Sequence, residues 1–373
     1  MTLNPEYYMQ LAFEIAKKGS TSPNPQVGCI IVKDDKIIGE GYHAKAGESH
    51  AEIEALNDAK KRGNEKLIEN SEMFVTLEPC CHEGKTPPCT EEIIKNKIKK
   101  IYVSVKDENP KVYGKGIKLL QDAGIEVELR IMEQYGKEFY KKFFTYITKQ
   151  RPFVTLKVAM SLDGMIASMN QKEKYITSED SRKEVHKIRA EHDAVLVGVN
   201  TIIADDPQLN VRLIEGKNPR VIILDSELRT PETARIFEFD INNGNDKCNE
   251  NTQESIIIFT SKKAKADAKK LEILENKAEI IKIETKNNAL DLRKVIDEIH
   301  NAGITSLLVE GGQKVFTSFL EEGIVDELIV FIAPVFLQDG KKWIESNKKI
   351  FDTFRIKELR KIKEDTMIVF SKG

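Results

Sequence analysis

Two α/β domains in series are what the sequence predicts, on three observations. Apolar runs of strand length alternate with amphipathic stretches of helix length along most of the chain, the order that builds a sheet covered by helices. A length of 373 residues suits two domains of ordinary size. Midway, the charged, proline-ended stretch Lys149-Gln150-Arg151-Pro152 breaks the pattern, which sets domains of residues 1–149 and 150–373.

Taken in order, Asn4-Pro5-Glu6 is a helix start, with a capping side chain, proline in the first turn and then an acid. Leu11, Ala12, Ile15 and Ala16 give that helix its apolar stripe, and Gly19 ends it. A strand over Cys29–Lys33, a turn at Asp34-Asp35 and a returning strand over Lys36–His43 read as a hairpin. Gly47-Glu48-Ser49-His50 opens a helix that runs to about Arg62. A strand over Met73–Leu77, a helix from Pro88 to Lys97, a strand over Lys100–Val105, a helix over Gly116–Ala123 and a strand over Ile125–Ile131 follow. Glu133–Gln150 is one amphipathic helix that buries Phe139, Tyr140, Phe143, Phe144 and Ile147. Helices on both faces make this a three-layer domain.

The second half restarts with a strand over Phe153–Met160 and a turn at Ser161-Leu162-Asp163-Gly164. Ser178 caps a helix that contains His186 and Arg189. Strands are expected at Ala194–Val197, Val221–Leu224, Ser255–Thr260, Glu279–Ile283, Ser306–Val309 and Val325–Ala333. Helices are expected at Lys262–Glu275, Leu290–Asn301 and Lys314–Glu321, and the alternation implies a mostly parallel sheet. The polar stretch 237–255 reads as a surface excursion without chemistry.

A net charge of −2 with 32% charged residues gives no general pull toward nucleic acid or an anionic membrane. No apolar run approaches the ~18 residues of a spanning helix, and the N-terminus has no secretory pattern. Three of the five cysteines cluster, while Cys29 and Cys248 stand alone; a cytoplasmic protein with reduced thiols is the simplest account.

The chemistry concentrates between His50 and Cys89. His50, Cys80 and Cys89 can supply three ligands to one zinc and leave a fourth position for water, as a catalytic site requires. Glu52, two residues past His50 near a helix start, would sit beside that water and move protons without ligating. The insert Cys81 to Pro88 reads as a loop, followed by a helix start that would lower the Cys89 thiol pKa. A closed structural site with His82 or Cys81 as fourth ligand is the alternative, but it has no need of Glu52. In the second half, Glu310-Gly311-Gly312 joins a buried strand to a helix. Such a turn suits a phosphate at a helix N-terminus, and a plain tight turn equally well.

The order H-x-E…P-C…C resembles zinc nucleobase deaminases, with eight residues instead of two between the cysteines. The longer string E-P-C-x-H-x-G-K-T-P-P-C from Glu78 to Cys89 resembles the family of bifunctional riboflavin-biosynthesis deaminase/reductases. Cys81 stands where that family commonly has serine. Lys157-x-Ala159-x-Ser161-x-Asp163-Gly164, Gly198-x-Asn200-Thr201, Ala204-Asp205-Asp206-Pro207-x-Leu209 and Glu310-Gly311-Gly312 look like its reductase domain, in the family's order.

The resemblance implies a cytidine-deaminase-like domain, then a dihydrofolate-reductase-like domain, with Zn2+ and NADPH as cofactors. It implies hydrolytic deamination of diaminohydroxyphosphoribosylaminopyrimidine, then NADPH-dependent reduction of the product's ribosyl side chain to ribityl. Asn24, His43, His82 and Lys85 would orient the first substrate, against a structural role for each histidine. NADPH would lie along Ala159, Tyr175, Thr201, Asp205 and Ser226, and along Gly312, Gln313, Lys314, Val315, Phe316, Thr317 and Ser318. The second substrate would touch Glu173, Arg189, Leu209, Arg212 and Glu310. The two arginines suit phosphate or carboxylate, with surface salt bridging as the alternative. Tyr175 and Glu173 depart from the tryptophan and serine common at those places, and Asp205 also suits a plain turn. Partners are small phosphoribosylaminopyrimidines, without nucleic acid or membrane, and a homo-oligomer is compatible. The rivals are a nucleic-acid-editing deaminase, which needs a basic aromatic groove, and a non-catalytic zinc scaffold.

Overall fold

The computed structural model describes residues 4–82, 87–168, 175–238, 255–265, 267–286, 289–350 and 353–372. Glu173, Lys85, Cys248 and most of the 237–255 stretch lie outside the described residues. The chain separates into two compact units, Met1–Arg151 and Pro152–Gly373.

In the first unit the elements are α1 (Pro5–Ala16), β1 (Gly28–Lys33), β2 (Lys36–Tyr42), α2 (Ala51–Lys61), α3 (Glu65–Ile68), β3 (Glu72–Leu77), α4 (Cys89–Lys95), β4 (Lys100–Val105), α5 (Lys115–Asp122), β5 (Glu126–Leu129) and α6 (Glu133–Lys149). The Asn4 side chain accepts from the Tyr7 N–H, the cap the sequence announces. The strands order β2-β1-β3-β4-β5. β1 is antiparallel to β2 and β3, and β3, β4 and β5 are parallel. Alternate strand residues serve opposite faces. Cys29, Ile31, Met73 and Val75 meet α2, α4 and α5, whereas Ile30, Val32 and Phe74 meet α1 and α6.

Two helix starts matter for the site. α2 begins at Ala51 and not near Gly47, with His50 as its N-cap in an extended conformation. α4 begins at Cys89 itself, with Pro88 before it. Helix α2 lies close on β2. A Cβ at Gly41 would stand 2.2 Å from the Ala55 nitrogen and 2.3 Å from the Ala51 oxygen. The small stripe Ala51, Ala55, Ala59 on the helix completes this contact.

The second unit contains β6 (Phe153–Ser161), β7 (Met165–Ser168), α7 (Glu179–Ala190), β8 (Ala194–Gly198), α8 (Val199–Asp205), β9 (Arg220–Leu224), β10 (Ile256–Ser261), α9 (Ala268–Glu275), β11 (Glu279–Ile283), β12 (Thr285–Lys286), β13 (Ala289–Leu290), α10 (Leu292–Asn301), β14 (Ser306–Gly311), α11 (Gln313–Glu321), β15 (Glu327–Ala333), β16 (Gly340–Lys342), β17 (Phe354–Ile362) and β18 (Asp365–Lys372). The main sheet orders β11-β10-β9-β8-β14-β6-β15-β18-β17. It is parallel from β11 to β15, and β18 and β17 extend it antiparallel. Helices α10 and α11 pack on one face, and α7, α8 and α9 on the other.

Helix α9 starts later than the expected Lys262. Lys262 lies in the turn after β10, where its N–H donates to the Ile283 carbonyl at the end of β11, and the helix begins only at Ala268. The β17–β18 hairpin and α8 were not expected at all.

Candidate functional site

In the first unit, His50 at the cap of α2, Cys80 past the end of β3 and Cys89 at the start of α4 converge. Their ligand atoms lie within 4.8 Å of one another. His50 Nδ1 stands 3.2 Å from Cys89 Sγ and 3.4 Å from Cys80 Sγ, and the Cys89 N–H donates to Cys80 Sγ at 3.3 Å. Zinc bonds of ~2.0 Å to nitrogen and ~2.3 Å to sulfur at tetrahedral angles put the ligands about 3.5 Å apart, so the spacing fits. Cys81 and His82 are not in this cluster, and Cys81 Sγ is turned to the Lys111 carbonyl.

The electrostatics suit a cation. The thiol pKa lowered at this site is that of Cys80 and not, as expected from the helix start, that of Cys89: the side-chain hydrogen bond from Cys89 lowers Cys80, and the same bond, with burial, raises Cys89, so the two sulfurs share one proton. A bound divalent metal displaces such a proton. The hydrogen bond with Cys80 raises the His50 pKa. Glu52, on the first turn of α2, is buried; burial and then the Cys80 thiolate push its carboxyl up to about 7. A carboxyl in that range accepts and returns protons near neutral pH.

His43 adjoins the cluster, its ring centroid 5.2 Å from that of His50, and touches Asn24. His43 Nδ1 lies 3.0 Å from the Ser49 carbonyl, an acceptor only, so in the neutral ring this nitrogen carries the proton. Nε2 then accepts from Asn24 Nδ2 at 3.2 Å. The Asn24 amide oxygen is thereby turned away from His43. Burial lowers the His43 pKa and favours this neutral form. His82 lies in the described chain and is exposed.

In the second unit, the parallel strands deliver their C-terminal ends to one edge, where open α/β sheets place ligands. Ala159 on β6, Thr201 and Asp205 on α8 after β8, Ser226 after β9 and the Gly311-Gly312 turn after β14 share that edge. Gly312 has φ +80, a conformation that disfavours side chains, and a Cβ there would meet Thr201 Oγ1 at 3.3 Å. The turn leads directly into α11, so an open backbone surface faces the helix start. That fits the phosphates of a nucleotide.

The helical period divides the expected 312–318 run. Lys314 and Ser318 reach solvent and Gln313 and Val315 are half-buried, but Phe316 and Thr317 are turned into the core. Thr317 accepts from the Glu345 N–H. The Leu209 side chain is likewise core, at a strained φ of +55. Tyr175 is exposed and lies beneath the Arg182 guanidinium, 4.5 Å from its ring centroid.

Glu310 and Arg189 do come together, but as each other's partners. Arg189 Nε donates to Glu310 Oε1 at 2.5 Å and Nη2 to Oε2 at 2.9 Å. Lys157 Nζ lies 3.2 Å from the same carboxylate. Burial opposes the charge on Glu310 most strongly, yet Arg189 and Lys157 outweigh it and hold the carboxyl well below the usual range. Glu310 is the extra residue where β14 shifts register against β8, a bulge that re-aims its side chain. Arg212 differs: its Nη1 donates to Asn210 Oδ1 at 2.8 Å, and it meets no carboxylate among the described residues. Arg212 is therefore better placed than Arg189 to take an anion. Lys157 and Asn210 are not among the expected site residues; a lone charge inside the apolar run Phe153–Met160 is the signal that marks Lys157.

Two family descriptions match the chain: the RibD C-terminal domain over residues 152–368, and the cytidine and deoxycytidylate deaminase zinc-binding region over residues 3–105. The riboflavin biosynthesis protein RibD of Aquifex aeolicus is 41% identical over 375 residues, with 98% of each chain covered. That of Bacillus amyloliquefaciens is 40% identical over 89% of this chain and 85% of its own. Among solved structures, Acinetobacter baumannii RibD is similar with a TM-score of 0.84 at 34% identity, covering 99% of both chains. A diaminohydroxyphosphoribosylaminopyrimidine deaminase/5-amino-6-(5-phosphoribosylamino)uracil reductase from Thermotoga maritima gives 0.83 at 34% identity, again over 99% of both.

Proposed function

The chain belongs to the RibD family, bifunctional enzymes of riboflavin biosynthesis with a zinc-binding deaminase domain and a reductase domain, and from that premise we propose its substrates and the residues that act on them. The first unit, of cytidine-deaminase-like fold, deaminates diaminohydroxyphosphoribosylaminopyrimidine. The second, of dihydrofolate-reductase-like fold, reduces the ribosyl group of 5-amino-6-(5-phosphoribosylamino)uracil to ribityl. The observation that carries the reading is the convergence of His50, Cys80 and Cys89 with the buried Glu52 at the same helix start.

His50 Nδ1 and the Cys80 and Cys89 thiolates would hold a zinc ion, which would supply the Lewis acidity that brings the pKa of water toward neutrality. Glu52 carries the first proton of the attacking water to the ring nitrogen, and then the second, from the hydroxyl so added, to the amine, which leaves as ammonia while the ring carbon becomes a carbonyl. His43 fixes the Asn24 amide so that its oxygen accepts from the substrate. His82, and Lys85 beyond the described residues, complete the substrate set.

In the second unit the C-terminal edge of the sheet would hold NADPH, which when bound would be the source of hydride for the anomeric carbon. The Gly311-Gly312 turn and the start of α11 would hold its phosphates, and Ala159, Thr201, Asp205 and Ser226 would line the rest of its site. Arg212 takes the substrate phosphate, while Arg189 and Lys157 hold Glu310 ionised against the sugar. Glu310 accepts hydrogen bonds from substrate hydroxyls and so orients the anomeric carbon to the hydride donor.

We place the enzyme in the cytoplasm. The cysteines of the described residues are unpaired, and no helix of these residues is long and apolar enough to cross a membrane. The test is incubation of the purified chain with the diaminopyrimidine ribotide, with and without NADPH, following ammonia and nicotinamide absorbance separately. Ammonia in both arms and NADPH oxidation in the second are expected. Ammonia with no NADPH oxidation would refute the assignment of the second unit.

A further inference from the structure

The loop that carries Arg212 is fixed at four points, and one of them is a histidine that the reaction itself does not need. Leu209 is anchored in the core at positive φ. The Asn210 carbonyl accepts from Arg189 Nη1 at 3.1 Å, and the Val211 N–H donates to Asn218 Oδ1 at 2.8 Å. The Arg212 N–H donates to His186 Nδ1 at 3.0 Å. His186 is buried on α7, one turn before Arg189, so a single helix face supports both arginines.

We propose that His186 is a positioning residue for the reductase substrate: its Nδ1 sets the Arg212 backbone so that the guanidinium meets the substrate phosphate. This rests on Arg212 taking that phosphate, as proposed above. The chemistry asks for an acceptor at this spot that carries no charge. The imidazole lies among the guanidiniums of Arg189 and Arg212, where another cation would repel both, and a carboxylate would compete with the ligand for Arg212. Burial and then those two arginines hold the His186 pKa down to about 4, with Glu310 acting weakly the other way, so Nδ1 is free to accept at physiological pH. Asn210 Oδ1 then fixes the far end of the same side chain, and main chain and guanidinium are both set before substrate arrives.

Steady-state kinetics of the reductase step on the full chain test this, with the phosphorylated ribosylaminouracil and its dephosphorylated counterpart as probes. H186L removes the acceptor, and its KM for the phosphorylated substrate should rise about tenfold with kcat within about twofold. H186N, whose Oδ1 takes the place of Nδ1, should restore KM to within about threefold. The dephosphorylated substrate should show no H186L penalty, and ammonia release by the first unit should be unchanged. If H186L does not fold, H186Q, with its acceptor one bond further out, should show the raised KM instead. An unchanged KM in H186L, an equal loss on the dephosphorylated substrate, or a failure of H186N to rescue would overturn the inference. R212M separates the two layers. If it leaves KM for the phosphorylated substrate unchanged, the phosphate assignment fails and this inference with it. If R212M raises KM and H186L does not, only the role of His186 fails.

Discussion

Replacing Arg189 by methionine should expose how much the second unit depends on its buried ion cluster. The Arg189 and Glu310 side chains are 11% and 5% exposed, and two hydrogen bonds join them. Removing one partner of such a pair costs about 3–5 kcal/mol because the other charge is left buried. Lys157 remains 3.2 Å from Glu310, which puts R189M near the lower end, about 3 kcal/mol. For a domain of this size that lowers the melting temperature by roughly 6–12 °C. The folded Glu310 pKa lies below its unfolded value, so its contribution is present above the ordinary glutamate pKa of ~4.3 and is lost as pH falls through the folded value. R189M brings the folded pKa closer to the unfolded one and should flatten this acid limb. Scanning calorimetry of both proteins from neutral pH down to about pH 3 measures both effects. A melting temperature within about 2 °C of wild type, with an unchanged acid limb, would refute the assignment of Glu310 as a charge held by Arg189.

Other consequences follow from close contacts and from the metal. G41A places a methyl group against the Ala51 and Ala55 backbone and must lift α2. It should cost about 1–3 kcal/mol and lower zinc content measured by metal analysis. G312A forces a side chain into φ +80 beside Thr201, at about 1–2 kcal/mol. KM for NADPH should rise roughly tenfold while ammonia release is unaffected. Chelation of the metal should abolish ammonia release and leave NADPH oxidation intact when pre-deaminated substrate is supplied.

The deaminase site was legible because its parts are local. A histidine two residues before a glutamate at a helix start, and two cysteines at the ends of one loop, carry their geometry in their spacing. The Arg189–Glu310 pair was not, since its members are 121 residues apart and meet only when the parallel sheet forms. Helix α8 escaped because Val199, Thr201, Ile202 and Ile203 are β-branched and read as poor helix formers. Strand β17 escaped because a register shift between Ile356 and Glu358 breaks its period of two, and its residues are mostly exposed. In the 312–318 run the turn was readable from the glycines. That Phe316 and Thr317 face inward follows from where α11 begins on its sheet, which the motif alone does not specify.

The central claim is that a carboxylate beside a three-ligand metal site runs the deamination, and E52Q tests it most directly, with zinc content and ammonia release measured on one preparation. Zinc close to one per chain, with ammonia release down by about 10²–10⁴ and NADPH oxidation on pre-deaminated substrate unchanged, is the predicted result. Wild-type ammonia release from E52Q, or full activity in wild-type protein that holds no metal, would contradict it.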